Sequence, residues 1–144
     1  MPDENRSALA EYRLERAEEC LSEAVLLLNN KSFGGSATRS YYAIFNSIRA
    51  VLALEGVDFN KHSAVISHFQ KEYVKTGVFN KEISDYIRVA FITRNDSDYK
   101  DFYSVSEEDA KKQIDNANLV MKTLKNYLSK TLNEKTEEAD FDAQ

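Results

Sequence analysis

The sequence predicts an all-α protein: an antiparallel up-down four-helix bundle with one additional short helix. Three observations predict it. One proline and four glycines are all that punctuate 144 residues, too few for a turn-rich β fold and suited to long helices. Apolar residues recur at helical spacing in several separate segments, each with a polar opposite face. The segments between them are short, and short connections join only neighbouring antiparallel helices. The length fits one domain with a single core and no need of disulfide or metal staples. Residues 1–130 are expected to form the bundle.

The first helix is expected from Ser7 to Asn29, with Leu14, Ala17, Leu21, Ala24 and Leu28 as its buried stripe. Asn29-Asn30-Lys31 and Gly34-Gly35 should end it and supply a loop. The second is expected from Ser36 to Leu54. Ala37, Tyr41, Ile44, Phe45, Ile48, Val51 and Leu52 make a stripe wide enough for burial on more than one side, and Gly56 stops it. Asn60 is positioned to cap a short third helix carrying Val65, Ile66, Phe69 and Tyr73, with Gly77 as its stop. Asn80 should cap a fourth, with Glu82 in the first turn and Ile83, Ile87, Ala90 and Phe91 inward. This helix reaches Arg94, where polarity changes abruptly. After a loop over Tyr99–Tyr103, Ser106-Glu107-Glu108-Asp109 reads as a Ser cap followed by first-turn acids. The fifth helix should then run to about Ser129, with Ala110, Ile114, Ala117, Met121, Leu124 and Leu128 on one face. Residues 131–144 are acidic and lack a stripe, so a mobile, disordered tail is expected there.

The net charge of −5 argues against broad, non-specific nucleic-acid binding. Its distribution is uneven. Residues 1–30 carry three Lys/Arg against seven Asp/Glu, residues 31–103 ten against eight, and residues 104–144 six against nine. A phosphate-binding surface therefore belongs in the middle section. Cys20 is the only cysteine and falls in a helical pattern, which suits a small buried thiol in a reducing cytoplasm. No segment approaches a membrane span and the polar N-terminus is unlike a signal peptide. His62 and His68 are not spaced i, i+4, and there is no CxxC or HExxH pattern, so no metal is expected. Gly34-Gly35 lacks the strand and the Lys-Ser/Thr of a phosphate loop, so no cofactor is expected either.

The stretch Arg94-Asn95-Asp96-Ser97-Asp98-Tyr99 is the most informative. Six polar or ionisable residues directly after a core stripe are poor packing material. An arginine there presents a fixed fork of donors suited to phosphate. The competing reading is a polar helix end, with Arg94 paired to Asp96 or Asp98. Tyr41 and Tyr42 point about 100° apart on a helix. One belongs to the core, and the other could reach a cleft or an interface.

These residues carry a likeness. Arg39-Ser40-Tyr41-Tyr42-Ala43-Ile44-Phe45-Asn46 resembles the second-helix signature of small HEPN domains (higher eukaryotes and prokaryotes nucleotide-binding). So do Lys61-His62 and Lys75-Thr76-Gly77. So, most strongly, does Arg94-Asn95 followed by Tyr99, Asp101-Phe102-Tyr103 and the Ser-Glu-Glu helix start. The likeness covers residues 8–128. It implies a helical bundle that pairs as a homodimer around a shared cleft lined by the fourth-helix motif. It also implies RNA or nucleotide binding, within a prokaryotic toxin–antitoxin or defence pair that has a small nucleotidyltransferase as antitoxin partner.

On this resemblance the ligand-binding residues are Arg94, Asn95, Tyr99, Tyr42, Arg39 and His62, and catalysis would fall to Arg94, Asn95 and Tyr99. The catalytic branch of the family has a histidine where this chain has Tyr99. A phenol of pKa about 10 is a donor at neutral pH, whereas imidazole can move protons there. Binding is thus expected to survive where cleavage has weakened. The alternatives are an active metal-independent endoribonuclease using Arg94 with Tyr99 or an incoming His62, and a structural interaction module. In some relatives with a nucleotidyltransferase partner, a tyrosine near this motif accepts AMP, which makes Tyr99 a candidate acceptor.

Overall fold

The computed structural model describes residues 4–143, with side chains described for residues 4–134. Its elements are α1 (Glu4–Asn29), α2 (Phe33–Glu55), α3 (His62–Phe69) continued by a π-helical turn (Gln70–Val74), α4 (Lys81–Tyr99) and α5 (Glu107–Ala143). No strand occurs among the described residues. The all-α bundle predicted from the sequence is the architecture found.

α2 is the central helix and packs against α1, α5, α4 and α3. The width of its apolar stripe explains this: Tyr41, Ile44, Ile48, Val51 and Leu52 are all essentially inaccessible, on faces too far apart for a single neighbour to cover. The seam with α1 is built from small residues. Ala10, Ala17, Cys20 and Ala24 on α1 are buried, as are Ala43 and Ala50 on α2. Leu14 and Leu21, expected in that stripe, are only partly buried at its flank. Small side chains let the two backbones approach, so the closest line of contact excludes leucine. Arg13 is also buried on this seam, donating to the Arg49 carbonyl at 2.9 Å and to Asp58 at 3.2 Å.

Several boundaries differ from the expectations, each for a physical reason. α2 begins at Phe33, so Gly34 and Gly35 lie in its first turn and not in a loop. A Cβ on Gly34 would lie 3.1 Å from Ser97 Oγ, and one on Gly35 would lie 3.0 Å from Ser32 Oγ. These glycines serve close approach. The α1–α2 reversal is made by Lys31 at φ 61. The amides of Ser32 and Lys31 return to the carbonyls of Leu27 and Leu28, a Schellman closure without glycine. α3 starts one residue beyond Lys61, and no Asn60 side chain caps it. Asn80 does cap α4, accepting from the Ile83 amide at 3.3 Å, and Ser106 accepts from the Asp109 amide at 3.0 Å ahead of α5. α4 carries its helix through the polar stretch from Arg94 to Tyr99. Ion pairs at i, i+4, Arg94–Asp98 and Lys100–Asp96, tie those polar turns together.

α5 runs on to Ala143 instead of ending near Ser129. Leu132 packs against the core, and the Glu, Lys and Ala residues beyond it are good helix formers. The side chains of most of the segment expected to be a mobile acidic tail lie outside the described residues.

Gly56 closes α2 at φ 84, with its amide and that of Val57 returning to the Ala53 and Leu52 carbonyls. A Cβ there would run into the Arg6 guanidinium. Left-handed backbone costs a side-chain-bearing residue about 1–2 kcal/mol. Gly56→Ala should therefore lower the urea-unfolding free energy by about that amount, and an unchanged midpoint would contradict the account.

Candidate functional site

α3 and the last two turns of α4 border an open groove of about 540 Å³, lined by Lys61, His62, Ser63, Phe91, Arg94, Asn95, Asp96, Tyr99 and Lys100. Three of these residues are permanent cations and one is a carboxylate; even with Asp98, which pairs with Arg94 from outside the lining, cations are in excess, so the groove favours an anionic ligand. The apolar part of α4 (Ile83, Ile87, Ala90) is anchored on the core, while Arg94 to Ser97 are half-buried and Asp98 to Lys100 exposed.

Arg94 sits at the base of the groove, with its side chain 17% exposed. One terminal nitrogen donates to the Tyr42 hydroxyl at 3.0 Å and the other to Asn95 Oδ1 at 3.1 Å. Nε lies 3.1 Å from Asp98 Oδ2, an ion pair without hydrogen-bond alignment. The guanidinium also lies over the rings of Tyr41 and Tyr42, 5.7 Å from each centroid. Each terminal nitrogen keeps one N–H without a partner among the described residues. The carboxylate partner expected of a polar helix end is thus present, and it does not use up the fork.

His62 stands at the first turn of α3. Its Nδ1 is 2.9 Å from the Tyr41 hydroxyl, and its ring stacks on Phe45 at 4.1 Å. Burial, then the charges of Arg94 and Arg49, depress its pKa, so it is neutral near pH 7. Burial also pushes the Tyr41 phenol well above its ordinary range, so that oxygen keeps its proton. The sign of the stability effect follows. An unfolded histidine binds a proton below about pH 6.5, but the folded one resists until a lower pH. The stabilisation is therefore complete above that value and is lost as pH falls through the window down to the folded pKa. Measured by denaturation between about pH 7.5 and pH 5, wild type should lose stability relative to His62→Gln. Parallel curves would refute the buried neutral state.

Of the residues named from sequence, Arg94, Asn95, Tyr99 and His62 share this groove, and Tyr42 reaches it through Arg94. Tyr99 is 76% exposed on its wall. Arg39 is not brought there. It pairs with Glu23 at 3.2 Å across the α1–α2 face, where an opposite charge is at hand. Sequence reasoning did not assign Lys61, Phe91, Asp96 or Lys100 to the site, although Lys61 and Lys100 directly adjoin His62 and Tyr99. Nor did it find the Tyr41–His62 contact, which no spacing along one helix reveals.

An all-helical bundle with an arginine-based basic groove beyond its fourth-helix core is the class that fold and site define. Residues 10–127 match the HEPN domain model, and the chain belongs to the HEPN family. A UPF0332 protein of Thermotoga maritima is 38% identical over 109 residues, 76% of this chain and 83% of that one. Two Methanocaldococcus jannaschii proteins are also similar. "Putative toxin MJ0605" is 32% identical, over 83% of this chain and 88% of that one. "Putative toxin MJ0142" is 29% identical, over 82% and 80%. No helix among the described residues is long and apolar enough to cross a membrane.

Proposed function

We propose that this chain is an RNA- or nucleotide-binding component of a prokaryotic toxin–antitoxin or defence pair, working in the cytoplasm as a homodimer with a nucleotidyltransferase as partner. The observation that carries the binding role is the Arg94 guanidinium. It is preorganised by Tyr42 and Asn95 at the base of an open groove, with an N–H left on each terminal nitrogen. Lys61 adds charge for a phosphate backbone, Lys100 shares its charge with Asp96, and exposed Tyr99 offers a ring on which a base can stack. Cations beside an aromatic platform suit single-stranded nucleic acid. The toxin–antitoxin setting is supported by the names of the two Methanocaldococcus relatives.

A labelled single-stranded RNA and AMP, followed by fluorescence anisotropy at low and high salt, test the binding role. Saturable binding that weakens with salt, and RNA recovered intact, are the expected results; no binding at low salt rejects the reading. The exposed Tyr99 hydroxyl is the candidate acceptor for AMP from ATP, with pyrophosphate leaving. Incubation with a small nucleotidyltransferase and ATP should add one adenylyl group to the intact mass, and Tyr99→Phe should abolish the addition.

A further inference from the structure

We propose that Tyr41 fixes His62 in the tautomer that carries its proton on Nε2, making His62 a neutral hydrogen-bond donor to the anionic ligand of the groove. The inference rests on the reading of the groove as a phosphate-ligand site and assigns His62 a role within it.

Tyr41 is 1% exposed. Among the described residues its hydroxyl has one hydrogen-bond partner, His62 Nδ1 at 2.9 Å. A buried O–H left without an acceptor is costly, and the phenol proton is firmly held. Tyr41 therefore donates and Nδ1 accepts. A neutral imidazole that accepts at Nδ1 carries its hydrogen at Nε2. The ring is held for this role, stacked on Phe45 at 4.1 Å and met edge-on by Tyr42 at 6.0 Å.

The groups around His62 agree with a neutral ring. From α2 it meets Tyr41, Tyr42, Phe45 and the charge of Arg49; from α4, the charge of Arg94; Lys61 precedes it, and Asp96 is the one carboxylate among the groove-lining residues. Arg94 and Arg49 are the charges that act on the ring, and both disfavour imidazolium. The chemical consequence is specific. With the Nδ1 lone pair engaged and Nε2 protonated, His62 has no free lone pair to take a proton from a 2′-hydroxyl. As a neutral ring it is also a feeble acid toward a leaving oxygen. What remains is an N–H on a residue that lines the groove together with Arg94, suited to a phosphate oxygen. The groove is thereby fitted for holding RNA and not for cutting it through His62.

Long-range ¹H–¹⁵N correlation spectra of the free, full-length protein at about pH 7.5, above the ordinary imidazole pKa, read the tautomer directly. Nε2 protonated and Nδ1 unprotonated is the expected pattern, relaxing toward a tautomer mixture in Tyr41→Phe. A short single-stranded oligouridylate should then shift the His62 Nε2–H resonance. His62→Ala should weaken its binding about tenfold, the scale of one hydrogen bond to a charged group, and His62→Gln should recover most of that loss.

An Nδ1–H tautomer or an imidazolium in the free protein overturns the role of Tyr41. A His62 resonance indifferent to an RNA whose binding depends on Arg94 overturns the role of His62 alone. RNA binding that Arg94→Ala leaves unchanged rejects the groove reading and, with it, the ligand half of the inference. The tautomer, measured without RNA, still judges Tyr41 separately.

Discussion

Arg94→Ala is expected to weaken binding of single-stranded RNA by roughly two orders of magnitude at low salt, because hydrogen bonds to charged groups are worth about 1.5–3 kcal/mol and two of them converge from this fork. The loss has a second source. Without the guanidinium, Asp98 is left at the groove uncompensated, and its charge repels a phosphate. Arg94→Lys should fall between, since an ammonium restores charge but not the planar pair of donors. Folding should be little affected, because the side chain lies at the edge of the core and its partners Tyr42 and Asn95 are only partly buried. Equal affinity in wild type and Arg94→Ala, with both proteins folded, would reduce the cluster to a polar helix end, the role of a structural interaction module.

The largest loss of stability is expected from Phe69→Ala, about 3–5 kcal/mol by equilibrium urea unfolding. Phe69 is fully buried and sits where α3 passes into the π-helical turn. Its ring stacks on Tyr73 at 5.4 Å and on Phe79 at 5.5 Å, and Phe79 in turn meets Tyr127 of α5 at 5.2 Å. This ladder fastens the α3 segment to the middle of α5. A loss of that size is a large fraction of the 5–15 kcal/mol typical of a whole domain. Because Lys61 and His62 enter the groove from α3, the same substitution should also weaken RNA binding. A change below about 1 kcal/mol would mean that the neighbouring rings close the cavity.

The helices were legible because their signals are local: stripes at helical spacing, Asn80 and Ser106 as caps, Gly56 and Gly77 as stops. What escaped depends on distance through space. Nothing local says that alanine and Cys20 are preferred to Leu14 and Leu21 on the α1–α2 seam, since that preference is set by how closely the backbones lie. Nothing local shows that Arg13 is buried, because Asp58, its counter-charge, is far along the chain. Gly34-Gly35 read as a loop because glycine marks both turns and close contacts, and only the neighbours, Ser97 for Gly34 and Ser32 with Leu27 for Gly35, tell them apart. The π-helical turn has no periodic signature over five residues. Within the site, Arg94, Asn95 and Tyr99 were legible because they lie in a single short stretch. The Tyr41–His62 contact joins two helices through a hydrogen bond, and Arg39 was misplaced because a nearby acid, Glu23, claimed it.

The last residues of α4, Asp98 and Tyr99, and Lys100 after them are exposed beyond the contacts that Arg94 and Ser97 make with α2. Residues 98–100 can therefore drift in identity under selection while the hydrophobic framework below stays as it is. A lineage built on such a plan can trade one reagent for another at the rim, a phenol for an imidazole for instance, by isolated replacements that leave folding intact. Diversity of chemistry on one unchanging scaffold is the pattern this layout permits.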